Sequence, residues 1–129
     1  MNINASNLIQ IFGGNETIVG GDFSAGSVND LQPVNANIFE GSLIQIGGGL
    51  DFNARNNINV SGDVTVVNDA VFSAGNLLSH EGLISAQGNV DFTAGRNVTL
   101  HAGSRVYVDG HLNLNANNNA SLSLSLIHI

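Results

Sequence analysis

The sequence contains no cysteine, no lysine and no tryptophan, and it has one proline in 129 residues. Without cysteine, the chain has neither a disulfide framework nor thiolate chemistry. Ten acidic residues face three arginines, which gives a formal net charge of −7. Nucleic acids and anionic membrane surfaces attract clustered positive charge, so we expect neither as a partner. No apolar run reaches the roughly 18 residues of a membrane-spanning helix, so we expect no membrane insertion.

Glycine and asparagine are abundant instead, with 16 and 20 copies, and such a bias is typical of internal repeats. The motif Phe-x-Ala-Gly begins at Phe23, Phe72 and Phe92, and a close variant begins at Phe52. The copies at Phe52, Phe72 and Phe92 are evenly spaced at 20 residues. A fixed period of this length is typical of solenoid proteins.

Residues at even offsets from these phenylalanines are apolar or small, whereas residues at odd offsets are short and polar. The even set includes Ile58, Leu78 and Val98, then Val66, Ala86 and Val106; the odd set includes Asn53, Ser73 and Thr93, then Asp69, Asn89 and Asp109. Alternate residues of a strand share one face, so the even set predicts a continuous core. The pattern predicts an all-β protein, a parallel β-helix of about six turns with about 20 residues per turn.

The repeat frame divides the chain into three parts. Residues 36–123 are predicted to form the regular β-helix, and residues 1–35 irregular N-terminal β turns or a partial cap. The early segment Leu8–Ile11 recurs as Leu43–Ile46 at a separation of 35 residues. The last part is 124–129, whose sequence is the translation expected of a sequencing-library adapter. We interpret that tail as an artefact of a fragment that continues in the true protein, although its alternation would let it dock as a further strand.

The stretch from Gly88 to Leu100, GNVDFTAGRNVTL, resembles the haemagglutinin-type repeats of filamentous-haemagglutinin-like large exoproteins. The resemblance covers residues 42–120. It implies a right-handed parallel β-helix, export by two-partner secretion or a similar route, and a role as a bacterial adhesin. The N-terminus shows neither an export signal nor a recognisable secretion domain, which departs from the family pattern.

Several ionisable residues are the candidates for a site on outward columns. These are Asp51 and Asp91 with His111, Asp69 and Asp109 flanking Asn89, and Glu81 between Ser61 and His101. We interpret them as solvated polar residues of the outer surface, with a weak Glu81–His101 contact. His80 falls on an inward offset, and we interpret it as a hydrogen-bonded interior residue. The sequence therefore predicts no catalytic, cofactor-binding or metal-binding residue.

These observations favour a fragment of a secreted bacterial surface adhesin, a non-catalytic structural rod located outside the cell or at the cell surface. Its expected partner is a host-cell receptor or glycan, bound through the full-length protein. The isolated fragment is also expected to associate end to end, as a result of its truncation. Two alternatives stay open at this point: a fragment of a carbohydrate-active β-helix enzyme, and an intracellular polymer of the bactofilin kind.

Overall fold

Short alternating segments, interrupted every four or five residues by Gly, Asn, Asp or Ser, produce a chain of short strands. The computed structural model describes residues 1–14, 16–26, 32–123 and 126–128. Within these ranges the chain forms 18 strands and no helix. The described residues therefore contain no membrane-spanning helix. The strands form three parallel six-stranded sheets.

Each sheet takes every third strand of the chain. Sheet 1 contains β1 (Asn2–Ile3), β4 (Phe23–Ala25), β7 (Leu50–Ala54), β10 (Ala70–Ala74), β13 (Val90–Ala94) and β16 (Leu112–Ala116). Sheet 2 contains β2 (Leu8–Ile11), β5 (Asn35–Ile38), β8 (Asn57–Val60), β11 (Leu77–His80), β14 (Asn97–Leu100) and β17 (Asn119–Leu122). Sheet 3 contains β3 (Glu16–Val19), β6 (Leu43–Ile46), β9 (Asp63–Val66), β12 (Leu83–Ala86), β15 (Arg105–Val108) and β18 (Leu126–His128). The predicted parallel β-helix is confirmed, with about five turns of about 22 residues.

The 20-residue period holds in the middle of the solenoid and lengthens toward both ends. Phe72 pairs with Phe52 below and Phe92 above, as predicted. Val106, however, pairs with Ile84 and not with Ala86, because the corner between β14 and β15 has two additional residues. The next pairs in sheets 1 and 2 keep a separation of 22 residues, as in Phe92–Leu114, and the last pair in sheet 3, Arg105–Leu126, has a separation of 21. An even insertion preserves which side chains point inward, so the core continues although the period changes.

The core is a ladder of inward side chains, and the three central phenylalanines are fully buried within it. The ring centroids of Phe52 and Phe72 lie 6.0 Å apart, and those of Phe72 and Phe92 lie 5.4 Å apart. Phe23 is also buried but pairs with Leu50, so its motif copy is displaced by two residues from the other three.

The first turn stacks on the rest through a longer repeat. Leu8 pairs with Asn35, a separation of 27 residues. The similar segments Leu8–Ile11 and Leu43–Ile46 lie in different sheets, so their likeness reflects strand composition and not stacking. Arg55 fastens this region, because its guanidinium donates to the carbonyls of Ser6 (2.6 Å) and Gln32 (3.0 Å). The predicted boundary at residue 35 stays a prediction.

The C-terminal turn adds the last strand of each sheet. β16, the last strand of sheet 1, places Leu112 and Leu114 inward, and both are half-buried against the core. Of the predicted artefactual tail, residues 124, 125 and 129 lie outside the described residues, and Leu126–His128 pair with β15 in parallel. The tail therefore docks as a strand, while its origin stays a prediction.

Replacing Phe72 by alanine should lower the free energy of unfolding by about 3–5 kcal/mol, because the change removes buried apolar surface and leaves a cavity between two turns. The neighbouring Ser73 points outward on the same strand. Ser73→Ala should change stability by less than about 0.5 kcal/mol. Chemical denaturation of both variants measures the difference, and equal small effects would contradict in-register stacking of the phenylalanines.

Candidate functional site

Outward polar side chains at the corner between sheet 3 and sheet 1 connect three pairs of adjacent turns. The corner column consists of Asp22, Gly49, Asp69, Asn89 and His111, and we call it the Asx column. Asp22 Oδ1 accepts the Gly49 N–H at 2.8 Å, and Asp69 Oδ1 accepts the Asn89 N–H at 2.7 Å. Asn89 Oδ1 accepts the His111 N–H at 2.8 Å. Asp69, which the sequence marked as a site candidate, thus holds the backbone of the following turn.

The longer period after His101 changes two of the predicted columns. Asp109 donates its N–H to the Ala86 carbonyl, so it lies two positions away from the Asx column, where His111 stands instead. The column of Asp51 and Asp91 continues to Asn113 and not to His111. The predicted groupings of Asp109 with Asp69 and of His111 with Asp91 are therefore wrong, because two inserted residues shift everything that follows them.

The remaining outward carboxylates of sheet 1 are also bonded to amides. Asp51 Oδ1 accepts the side-chain N–H of Asn53 at 2.9 Å, and Asp91 Oδ1 accepts that of Asn113 at 2.6 Å. Val71 separates Asp51 from Asp91 in the column. The two carboxylates are thus two strand spacings apart, about 9.6 Å along the solenoid, and each binds a different neighbour.

His101 makes a different contact from the one predicted. Its Nε2 lies 2.7 Å from Ser79 Oγ, one turn below on sheet 2, so the His101 ring bonds to Ser79 and not to Glu81. A serine beside an imidazole is the nucleophile–base half of an acyl-transfer site, which also needs an orienting group for the imidazole. Among the described residues His101 makes no second side-chain hydrogen bond, so the pair works as a link between turns.

A groove follows the corner between sheets 2 and 3, with a volume of about 590 Å³. Two corners, at Glu40–Gly41 and at Ala102–Gly103, are two residues longer than the corners between them. At the shorter corners Gly62 and Gly82 pack directly on the turn below, where a Cβ on Gly82 would collide with the Gly62 carbonyl. The groove is the depression between the two longer corners. Gly41, Gly82 and Gly103 line it, and we call it the glycine groove.

Both walls of this glycine groove carry charge. Glu81 and Glu40 line one wall, and Asp63, Leu83 and Arg105 line the other. Of these residues the repeat pattern indicates only Glu81; Glu40 and Asp63 join it because the longer corners bring all three around one depression. Nowhere in the described ranges do three or more His, Asp or Glu side chains meet as they would to hold a metal ion. The groove offers carboxylates and one guanidinium to solvent.

His80 lies in the core between Val60 and Leu100, as predicted, and is fully buried. Its ring stacks on Phe92 with centroids 6.0 Å apart. Nε2 lies 3.4 Å from the Arg105 carbonyl, while Nδ1 has no hydrogen-bond partner among the described residues. Burial lowers the pKa of His80, and the nearby His101 adds to the lowering. The backbone groups of Arg105 and Val60 and the charge of Asp63 favour the protonated ring, but burial outweighs them.

No family model, curated protein or solved structure matches this chain. The resemblance to haemagglutinin-type repeats therefore stays an expectation based on the repeat residues. The fold and the contacts above stand independently of it.

Replacing Gly49 by asparagine should stabilise the protein by about 0.5–1.5 kcal/mol, because it would complete the Asx column and reduce the freedom of the unfolded chain. Gly49 lacks a positive φ, and a Cβ there would lie 3.4 Å from the Asp69 carbonyl oxygen, an ordinary contact. The new side chain could accept the Asp69 N–H, as Asn89 accepts the His111 N–H. Gly48→Asn is the control: its Cβ would collide with Asp22 Oδ1, so it should destabilise the fold. Thermal unfolding compares them, and a less stable Gly49→Asn variant would contradict the column.

His80 should make the fold sensitive to acid. Because its pKa is lower in the folded state, the unfolded state binds the proton first, and stability falls as the pH drops from about 6.5 toward the folded-state pKa. For one such group the free energy of unfolding changes by at most about 1.4 kcal/mol per pH unit. His80→Leu, which matches the neighbouring Leu100, should reduce this slope. Urea unfolding of both proteins between pH 5 and pH 8 tests it, and parallel profiles would contradict the assignment.

Proposed function

We propose that this chain is a segment of the rod of a secreted bacterial surface exoprotein, where it serves adhesion as a non-catalytic structural element. One observation carries the proposal: three outward carboxylates are hydrogen-bonded to the following turn. Asp22 and Asp69 bind backbone N–H groups of the following turn, and Asp91 binds the amide of Asn113. Acids used in this way stabilise the rod.

The stacking geometry supports a mechanical role. Each turn contacts its neighbours through three parallel ladders, and the core continues along the axis through Phe52, Phe72 and Phe92. In a solenoid of this kind every repeat adds length and stability by the same nearest-neighbour contacts. Such a rod suits a protein that presents a binding region away from a cell surface.

The proposed location and partners follow from the repeat resemblance and from the charge. Haemagglutinin-type repeats occur in exported proteins, so we place the chain outside the cell or at its surface. A net charge of −7 with three arginines disfavours nucleic acid, and it leaves a host-cell receptor or glycan as the partner of the full-length protein.

End-to-end self-association belongs to the same proposal. β1, β2 and β3 are the outer strands at one end of the sheets, and β16, β17 and β18 are the outer strands at the other. Unpaired strand edges bind other strands through main-chain hydrogen bonds. Copies of this chain would pair one end with the other along a common axis.

Two substitutions at Asp69 separate a structural role from a catalytic one. Asp69→Asn should retain stability, because Asn89 makes the same bond with an amide oxygen one turn later. Asp69→Ala should lose about 1–2 kcal/mol, since the Asn89 N–H would lose its acceptor. Urea unfolding gives these values, and incubation with neutral and acidic polysaccharides gives any turnover. Polysaccharide cleavage by the unsubstituted chain that Asp69→Asn or Asp91→Asn abolishes would overturn the proposal in favour of the carbohydrate-active enzyme.

A further inference from the structure

The outer face of sheet 2 is the one sheet face without a charged side chain among the described residues. Sheet 1 presents Asp51 and Asp91 on its outer face, and sheet 3 presents Glu16, Asp63 and Arg105. On sheet 2 the central outward column is a row of amides and hydroxyls: Gln10, Asn37, Asn59, Ser79, Thr99 and Ser121. In a chain with a net charge of −7, this face is chemically distinct.

The hydrogen-bonding groups of this central column are largely unused. Ser79 bonds to His101, but the Asn37, Asn59 and Thr99 side chains have no hydrogen-bond partner within the described part of the chain. Each amide carries two N–H donors and a carbonyl acceptor, and each hydroxyl both donates and accepts. Neighbouring groups along the column are about 4.8 Å apart, which is the spacing of paired strands.

A second outward column on the same face adds amides and an apolar contact. Asn35, Asn57 and Asn97 lie in it, and Leu77 interrupts the series with 37% of its surface exposed. The Asn57 amide oxygen accepts the Leu77 N–H at 3.3 Å, so this column has fewer free hydrogen-bonding groups than the central one. Leu8, which pairs with Asn35, belongs to the same column and has 43% of its surface exposed. The face thus combines amides with two apolar side chains, and the outward side chains of its described strands include no aromatic ring.

We infer that the outer face of sheet 2 binds a neutral polysaccharide that runs along the solenoid axis; this inference rests on the proposed function. Hydroxyl groups of a sugar satisfy donors and acceptors alike, and the C–H groups of its ring would contact Leu77. A polyanion would meet the acidic surface around the face, with Glu40 and Glu81 at its border. An apolar partner would leave the amides buried without hydrogen bonds, which is unfavourable.

The test is native affinity electrophoresis in gels that contain galactomannan, soluble β-glucan or, as the charged probe, polygalacturonate. The unsubstituted chain should be retarded by at least one neutral polymer and not by polygalacturonate. Asn59→Asp places a charge in the middle of the face and should weaken that binding by about tenfold or more, because the carboxylate would be desolvated on docking. Thr65→Asp is the matched control, since Thr65 is exposed in the same turn but on sheet 3. It adds the same charge and should leave retardation unchanged.

Thr99→Asp repeats the change two turns along the column and keeps the test valid if Asn59→Asp perturbs the fold, which circular dichroism would show. Absence of retardation by both neutral polymers would overturn the inference, as would retardation by polygalacturonate alone. An equal loss in Asn59→Asp and Thr65→Asp would also overturn it. A dimer in sedimentation that Asn59→Asp dissociates would assign the face to a second copy instead. If the protein shortens the polysaccharide chains during incubation, the proposed non-catalytic function is overturned. If the gels show no retardation of the protein, that proposal stays intact.

Discussion

The structure depends on the in-register stacking of one turn on the next. Parallel ladders on three sheets join every turn to its neighbours, and the inward-facing side chains of one turn pack on those of the turns above and below. The aromatic core Phe52–Phe72–Phe92 exists because the three residues lie at the same position of consecutive turns. The Asx column depends on the same alignment, since an outward carboxylate reaches the next turn's N–H only when the corners coincide. A shift by one residue would reverse the inner and outer faces and remove both features.

Corner length provides the variation that stacking allows. An even number of added residues lets a corner bulge without changing the direction of the following side chains, and the corners ending at Ser42 and Ser104 use this freedom. Each of these serines is buried and donates its hydroxyl to a carbonyl three residues earlier, Phe39 or His101, at 2.6 Å. Gly41 and Gly103 adopt positive φ angles of 83° and 88° in the same corners. The glycine groove between them is therefore a consequence of local corner chemistry.

Polar groups have three different roles in this rod. The Asx column and the Asp–Asn pairs of sheet 1 connect neighbouring side chains and turns, and the buried serines close corners. His80 is the exception, because it places an ionisable ring with an unpartnered Nδ1 inside the apolar core. The outer face of sheet 2 differs again, since much of its central column retains free donors and acceptors. The functional proposals follow this division, in which bonded polar groups support the rod and unbonded ones face a partner.

The sequence by itself determined the fold class, the inward and outward positions and the central phenylalanine ladder. Alternation of apolar and polar residues shows which side chains point inward, and the 20-residue period shows which of them stack. It also placed His80 inside, since His80 stands at an even offset from Phe72. It could not determine which outward residues share a column beyond His101, because two residues inserted at one corner shift Asp109 out of the Asx column and bring His111 into it. The glycine groove, the Ser79–His101 bond and the uncharged face of sheet 2 appear only once the turns are stacked. They join residues about 20 or more positions apart, and only the register of the stacked turns shows which residues lie in a corner and which lie in a strand.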